Sequence, residues 1–252
     1  MHLDTVYRSP KNQQPPNPGY KVEVLTQDFF KKGYQHFPLL QNEVTNNLID
    51  SIKKLEKVEL ENPYSWKEKY SNAFDIYPNT YSYLPHFIDF LFSQEIPQKI
   101  RTLLSEDLYL GDLTLRKVNA GQQYASWHRD TNVYGSNSKG RMPVLHKLIF
   151  YPQLDHKPTP QLKVIPGSHR RMFTSKLLDK IQSTVLPSIH LNSSNNHALF
   201  FNTALFHAAE PVKTEFPAFR LIYCFCHKYQ LSQFAGREAL HEIYQERLKT
   251  IL

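Results

Sequence analysis

In the stretch SWHRDTN, His128 and Asp130 stand two residues apart. On an extended strand, positions i and i+2 project to the same face, so an imidazole nitrogen and a carboxylate oxygen meet at one point. Both are metal donors. Two histidines and one carboxylate on a single octahedral face are the donor set of non-haem iron(II) oxygenases, with the other positions open to co-substrate and dioxygen. The pair therefore requires one more histidine. By itself a His-x-Asp is weak evidence in a chain with 12 histidines and 23 acidic residues, because such pairs arise by chance. Downstream, the apolar strand HALFFN leads through a short turn into ALFHAAEPV and then FRLIYCFCH, so that His207 ends one strand and Arg220 opens the next.

Three pieces stand in a fixed order: WHRDTN at 127–132, LKVIPGSHRR at 162–171, and FFNTALFHAAEPVKTEFPAFR at 200–220. As a set they resemble the phytanoyl-CoA dioxygenase family of iron(II)/2-oxoglutarate-dependent oxygenases. That family's pattern is a His-x-Asp, a Pro-Gly-Ser-His turn after a strand, a distal His, and an Arg about a dozen residues later. The resemblance spans roughly residues 112–228. It implies a double-stranded β-helix (jelly-roll, cupin-like) core, mainly β with flanking helices. It also implies that His128, Asp130 and His207 hold Fe(II), that Arg220 holds the distal carboxylate of the co-substrate 2-oxoglutarate, and that O2 is consumed. The Arg220 assignment has independent physical support. A guanidinium offers a carboxylate a bidentate fork, and an arginine inside the apolar run AFRLIYCFC is otherwise costly to bury.

Family members often carry a hydroxyl residue two positions after the distal histidine, where this chain has Ala209. Lys147, within HKLIFY, is expected to supply that second co-substrate contact, with Asn119 and Arg116 of LTLRKVN behind it. Trp127, Tyr124 and Tyr134 flank the metal and are expected to line the substrate pocket. No catalytic residue is expected beyond the metal ligands. His169 of the PGSH turn is read as a packing residue, because three ligands already complete the facial set. Related halogenases replace the carboxylate ligand by Gly or Ala. Asp130 thus favours a hydroxylase acting on an unactivated carbon of a small organic molecule, with release of succinate and CO2, while desaturation or cyclisation, the prime substrate and the oligomeric state stay open.

Two other classes compete. A non-catalytic jelly-roll protein binding a metal or ligand would not need the arginine beside the distal histidine. A nucleic-acid demethylating oxygenase would share the iron site but needs a concentrated basic groove with stacking aromatics. The 30 Lys and Arg, giving a formal charge of +7, are scattered along the chain, so no nucleic-acid partner is expected, and the positive surface favours an anionic small substrate.

The elements that must position these residues follow from pattern. Residues 1–20 are rich in Pro, Asn and Gln and read as an extended or disordered arm. Residues 21–252 read as one oxygenase domain, with a helical part to about 105, a jelly-roll core at about 106–228, and a C-terminal helix at about 233–251. Helical spacing runs from Glu43 to about Val58 and from about Pro85 to Leu104. The aromatic, turn-rich stretch from Tyr64 to Tyr83 reads as a surface loop that either closes over a substrate or simply covers the sandwich. After residue 106, LTLRKVN, QYASWH, VLHKLIFYP, QLKVIP, HALFFN and FRLIYCFCH read as short strands of a sandwich or barrel. Cys224 and Cys226 share one strand face and read as buried thiols. No signal peptide or membrane span is apparent, so a cytoplasmic protein is expected.

Overall fold

The short apolar runs after residue 106 form two facing antiparallel sheets. A computed structural model describes residues 21–55, 64–65, 74–77, 86–118, 125–131, 145–152, 162–173, 175–191, 196–210 and 218–251. The N-terminal arm, Asn119, Tyr124, Tyr134 and most of the stretch from Tyr64 to Tyr83 lie outside the described residues.

In chain order the strands are β1 (Tyr34–Pro38), β2 (Tyr64–Ser65), β3 (Phe74–Tyr77), β4 (Tyr109–Val118), β5 (Ala125–His128), β6 (His146–Phe150), β7 (Leu162–Val164), β8 (Ile189–Leu191), β9 (His197–Asn202), β10 (His207–Ala209) and β11 (Ala218–Cys226). Among the described residues the larger sheet runs β1-β9-β6-β11-β4-β3-β2 and the smaller runs β5-β10-β7-β8. This is a jelly-roll double-stranded β-helix with flanking helices, as the resemblance implies.

The central strand β11 explains how the sheet divides its work. Its residues are almost continuously buried, since both faces are covered. Phe219, Leu221, Tyr223 and Phe225 join Phe87, Phe90, Leu240 and Tyr244 in the core on the helical side. Ile222 joins Val118, Ile149 and Phe201 in a second core between the sheets, and Cys224 and Cys226 pack with Leu145. Burial pushes both thiols up to about 12, which leaves them unreactive packing groups. Arg220, by the period of two, lies on the face with Ile222 and Cys224.

The helices are α1 (Lys21–Lys32), α2 (Glu43–Leu55), α3 (His86–Ser93), α4 (Ile96–Leu104), α5 (Lys176–Val185) and α6 (Glu238–Lys249). Asn42 caps α2, its Oδ1 accepting the Thr45 N–H at 3.0 Å,. The single helix expected over Pro85–Leu104 is two. Pro97 sits in the first turn of α4, and Glu95 adopts φ 54 just before it; a proline there cannot continue the preceding helix's bonding. Buried Gln94 uses the break, donating to the Leu40 carbonyl and the Thr45 hydroxyl and accepting the Leu40 N–H.

The aromatic stretch read as a loop contributes β2 and β3 to the large sheet, β3 pairing with β4 from Phe74↔Val118 to Tyr77↔Leu115. Strand β1 extends the other edge against β9. In both cases strands of two to five residues are recruited by a sheet edge rather than by their own pattern,. Tyr223 ties sheet to helix, its hydroxyl donating to the Phe87 carbonyl at 2.7 Å. Tyr223→Phe is expected to cost about 1 kcal/mol, the net worth of one buried hydrogen bond, measurable as a lowered urea midpoint with unchanged slope.

Candidate metal centre

His128 closes β5 and His207 opens β10, and the two stand directly opposite each other in the small sheet. Their ring centroids are 4.3 Å apart. HALFFN leads through a short turn toward His207, as the sequence reading has it, but His207 opens a new strand where that reading has it end one. HALFFN stays in the large sheet as β9, and the chain crosses to the small sheet through residues 203–206. Asn202 makes that crossing, its side-chain oxygen accepting the Ala204 N–H at 2.9 Å in an Asx-type turn,.

Asp130 follows β5 and completes the group: one donor atom each from His128, Asp130 and His207 lies within 4.8 Å of the others. Asp130 Oδ1 is 3.5 Å from His128 Nε2, and Oδ2 is 3.5 Å from His207 Nε2. His128 Nδ1 meets the Ser126 carbonyl at 2.6 Å, and His207 Nδ1 meets the Leu205 carbonyl at 2.8 Å. A carbonyl only accepts, so each Nδ1 carries the proton and each Nε2 keeps its lone pair for a metal. Burial, with His128 adding to it, pushes His207 down to about 3, so this imidazole is neutral at physiological pH.

Burial alone would raise the Asp130 carboxyl. Burial is the largest single influence, but the Lys147 ammonium, 2.9 Å from Oδ2, together with His207 and His128 outweighs it and holds the group well below the usual carboxylate range. Reciprocally, burial would lower Lys147, and the Asp130 carboxylate raises it instead. At physiological pH the group thus holds a neutral imidazole at His207 and a carboxylate at Asp130. Thr203 sets its height: its carbonyl accepts the Asp130 N–H at 3.1 Å. Its hydroxyl lies 2.7 Å from Thr131 Oγ1 and exchanges hydrogen bonds with both backbone groups of Leu145, at the head of β6.

The other expected site residues fall as follows. Lys147 points between the sheets, but its ammonium is bound to Asp130. Arg220 is 1 % exposed, with its guanidinium carbon 5.5 Å from the centre of the Tyr151 ring. Arg116 is the cross-strand partner of Arg220 in the β4–β11 register. Trp127 stacks on Phe206 at 5.4 Å with the Lys163 ammonium 6.0 Å over its ring, and it shares Phe206 with Arg129, whose side chain leaves the strand away from the ligands. His169 packs in the turn after Gly167, with Nε2 3.1 Å from the Phe30 carbonyl.

Reading the sequence missed Arg129 and Asp179. Arg129 stands between His128 and Asp130 and is 7 % exposed. Its Nε and Nη2 donate to the two carboxylate oxygens of Asp179 on α5, each at 2.6 Å. The only sequence signal is the period of two, which sends the residue between His128 and Asp130 to the opposite face.

No protein-family model matches the chain, and no curated protein matches it. Several solved structures share its fold. SnoN, a non-heme alpha ketoglutarate dependent epimerase from nogalamycin biosynthesis, superposes with a TM-score of 0.63 at 15% identity, covering 82% of this chain and 83% of that one. HygX from Streptomyces hygroscopicus, solved with nickel and 2-oxoglutarate bound, gives 0.61 at 12% identity, covering 84% and 89%. SnoK, a non-heme alpha ketoglutarate dependent carbocyclase from nogalamycin biosynthesis, gives 0.60 at 14% identity, covering 84% and 85%. At these identities the likeness is one of fold, and it extends over most of this chain and most of each of the others.

Proposed function

We propose that this chain is an iron(II)- and 2-oxoglutarate-dependent oxygenase that hydroxylates a carbon of a small organic molecule. The observation that carries the reading is the convergence of His128, Asp130 and His207 with both Nε2 atoms oriented as donors. Support comes from the fold shared with SnoN and HygX, whose structures have been solved with Fe3+ and alpha ketoglutarate and with nickel and 2-oxoglutarate, respectively.

The residues present fit the group. Two imidazoles and a carboxylate suit iron(II), and a three-residue set leaves coordination positions open. Arg220 provides a buried, permanently charged fork on the face between the sheets, suited to the distal carboxylate of 2-oxoglutarate. When bound, iron with 2-oxoglutarate and dioxygen supplies the oxidation of the substrate carbon, coupled to release of succinate and CO2. The chain's own residues supply placement. The Ser126 and Leu205 carbonyls fix the two imidazole tautomers, Lys147 keeps Asp130 ionised and directed, and Phe201, Ile149, Ile222 and Val118 wall the space between the sheets with apolar surface, excluding water. Cellular placement in the cytoplasm is part of this reading; no helix among the described residues is long and apolar enough to cross a membrane.

Anaerobic titration of the metal-free protein with Fe(II) and 2-oxoglutarate tests the reading through the weak visible charge-transfer band of the chelate. Wild type is expected to develop the band. His207→Ala should abolish it, and Arg220→Ala should weaken 2-oxoglutarate binding about tenfold or more, the loss of a charge-assisted hydrogen bond. Folded wild-type protein without a band would overturn the oxygenase reading in favour of a non-catalytic jelly-roll binding protein.

A further inference from the structure

We propose that the buried ion pair between Arg129 and Asp179 sets the geometry of the metal centre, with Arg129 a positioning residue for His128, Asp130 and His207. The inference rests on those three residues being the metal ligands, as argued above. Arg129 is flanked by two of them in sequence and connects them to the third in space. Its guanidinium uses all five N–H groups: Nε and Nη2 on the Asp179 carboxylate, Nη1 on the carbonyls of Ser168 and Ala204, and Nη2 on the carbonyl of Arg171.

The acceptors are specific to the third ligand. Ala204 lies in the crossing that ends at His207, and the next residue, Leu205, owns the carbonyl that orients the His207 ring. Ser168 grips the same segment, its hydroxyl accepting the Phe206 N–H at 2.8 Å. One buried cation therefore links the backbone of the His-x-Asp pair to the backbone on which His207 is aimed. Such supports of metal ligands tune affinity without touching the metal.

Stability alone does not account for the arrangement, because a buried ion pair is commonly no better than apolar packing of the same volume. Helix α5 makes the choice visible. It buries Asp179 and Gln182 and leaves Leu177 at 67 % and Val185 at 68 % exposed, with Leu178 and Ile181 also exposed. Gln182 steadies the carboxylate, its Nε2 donating to Oδ1 at 2.6 Å. A helix docked only for stability would turn its leucines inward. This one is turned to deliver a carboxylate to Arg129.

Binding of Co(II) alone to the metal-free full-length chain tests the proposal, read by chelator competition and by the visible absorption of the bound ion. Asp179→Asn and Arg129→Lys are expected to bind about 10–100-fold more weakly with an altered spectrum. Leu248→Ala, a core truncation on the helical side of the large sheet, is the control. It should lose thermal stability yet keep wild-type affinity and spectrum well below its melting temperature. Arg129→Lys, which keeps the charge but not the fork, is the variant read if Asp179→Asn does not fold. Wild-type affinity and spectrum in the clamp variants, or an equal loss in Leu248→Ala, overturns the positioning role while the metal centre stands. Failure of wild type to bind Co(II) overturns the metal centre and the proposal together.

Discussion

Arg129→Met is expected to lower the unfolding free energy by about 3–5 kcal/mol, the cost of leaving one member of a buried ion pair uncompensated. The side chains of Arg129 and Asp179 are 0 % and 1 % exposed, so water cannot replace the lost partner, and the Asp179 carboxylate, which also accepts from the Gln182 amide, loses both donors of the guanidinium fork. Asp179→Leu should be costly for the mirror reason. The double variant should be more stable than the sum of the single effects allows, because neither charge is then stranded. It should fall short of wild type, since the carbonyls of Ser168, Ala204 and Arg171 lose their shared donor. Urea denaturation of the four proteins measures this as a coupling energy of about 1 kcal/mol or more. Strictly additive single effects would show that the pair does not act as a unit.

The same pair marks how far the sequence could be read. His128 and Asp130 were legible because the strand period is two and both are metal donors. The convergence of His207 on that pair was legible from the order of motifs, although not the crossing between sheets that separates β9 from His207. Arg129 was not, because its partner lies 50 residues away on a helix that breaks the rule used to find buried faces. In KLLDKIQSTV the apolar residues recur at helical spacing, a pattern that ordinarily turns them to a core and Asp179 to solvent. In the structure Leu177, Leu178, Ile181 and Val185 are exposed and Asp179 is buried against Arg129. The edge strands β1, β2 and β3 were hidden for a different reason: segments this short take their conformation from the sheet they join. Lys147 was legible as an inward-facing lysine, but its partner was not, because the ion pair with Asp130 joins two segments with no shared local pattern.

Metal-free wild-type protein is expected to lose stability steeply on mild acidification, and His146→Phe to remove one histidine's share of that loss. His146 opens β6 on the helical side of the large sheet. It is 2 % exposed and stacks on Phe200 at 5.4 Å with an interplanar angle of 7°. Burial, with His227 and His169 adding to it, pushes this imidazole down to about 3, whereas an unfolded histidine takes its proton near 6.5. Between those values the unfolded chain binds a proton that the folded chain refuses. Its penalty is absent above about pH 6.5, grows by about 1.4 kcal/mol per pH unit below that, and levels off near pH 3. By pH 5 it reaches about 2 kcal/mol. His169, lowered to about 4, and His207, lowered to about 3, act in the same direction, so the wild-type curve contains all three and only the difference between proteins isolates one. A phenylalanine of similar shape keeps the stack on Phe200 and cannot be protonated. Urea midpoints at pH 7 and pH 5 should therefore diverge between wild type and His146→Phe by the equivalent of about 2 kcal/mol, with the variant the more acid-resistant. Parallel behaviour of the two proteins across that window would mean that His146 titrates in the folded state, and that the aromatic cluster on the helical side admits water to its ring.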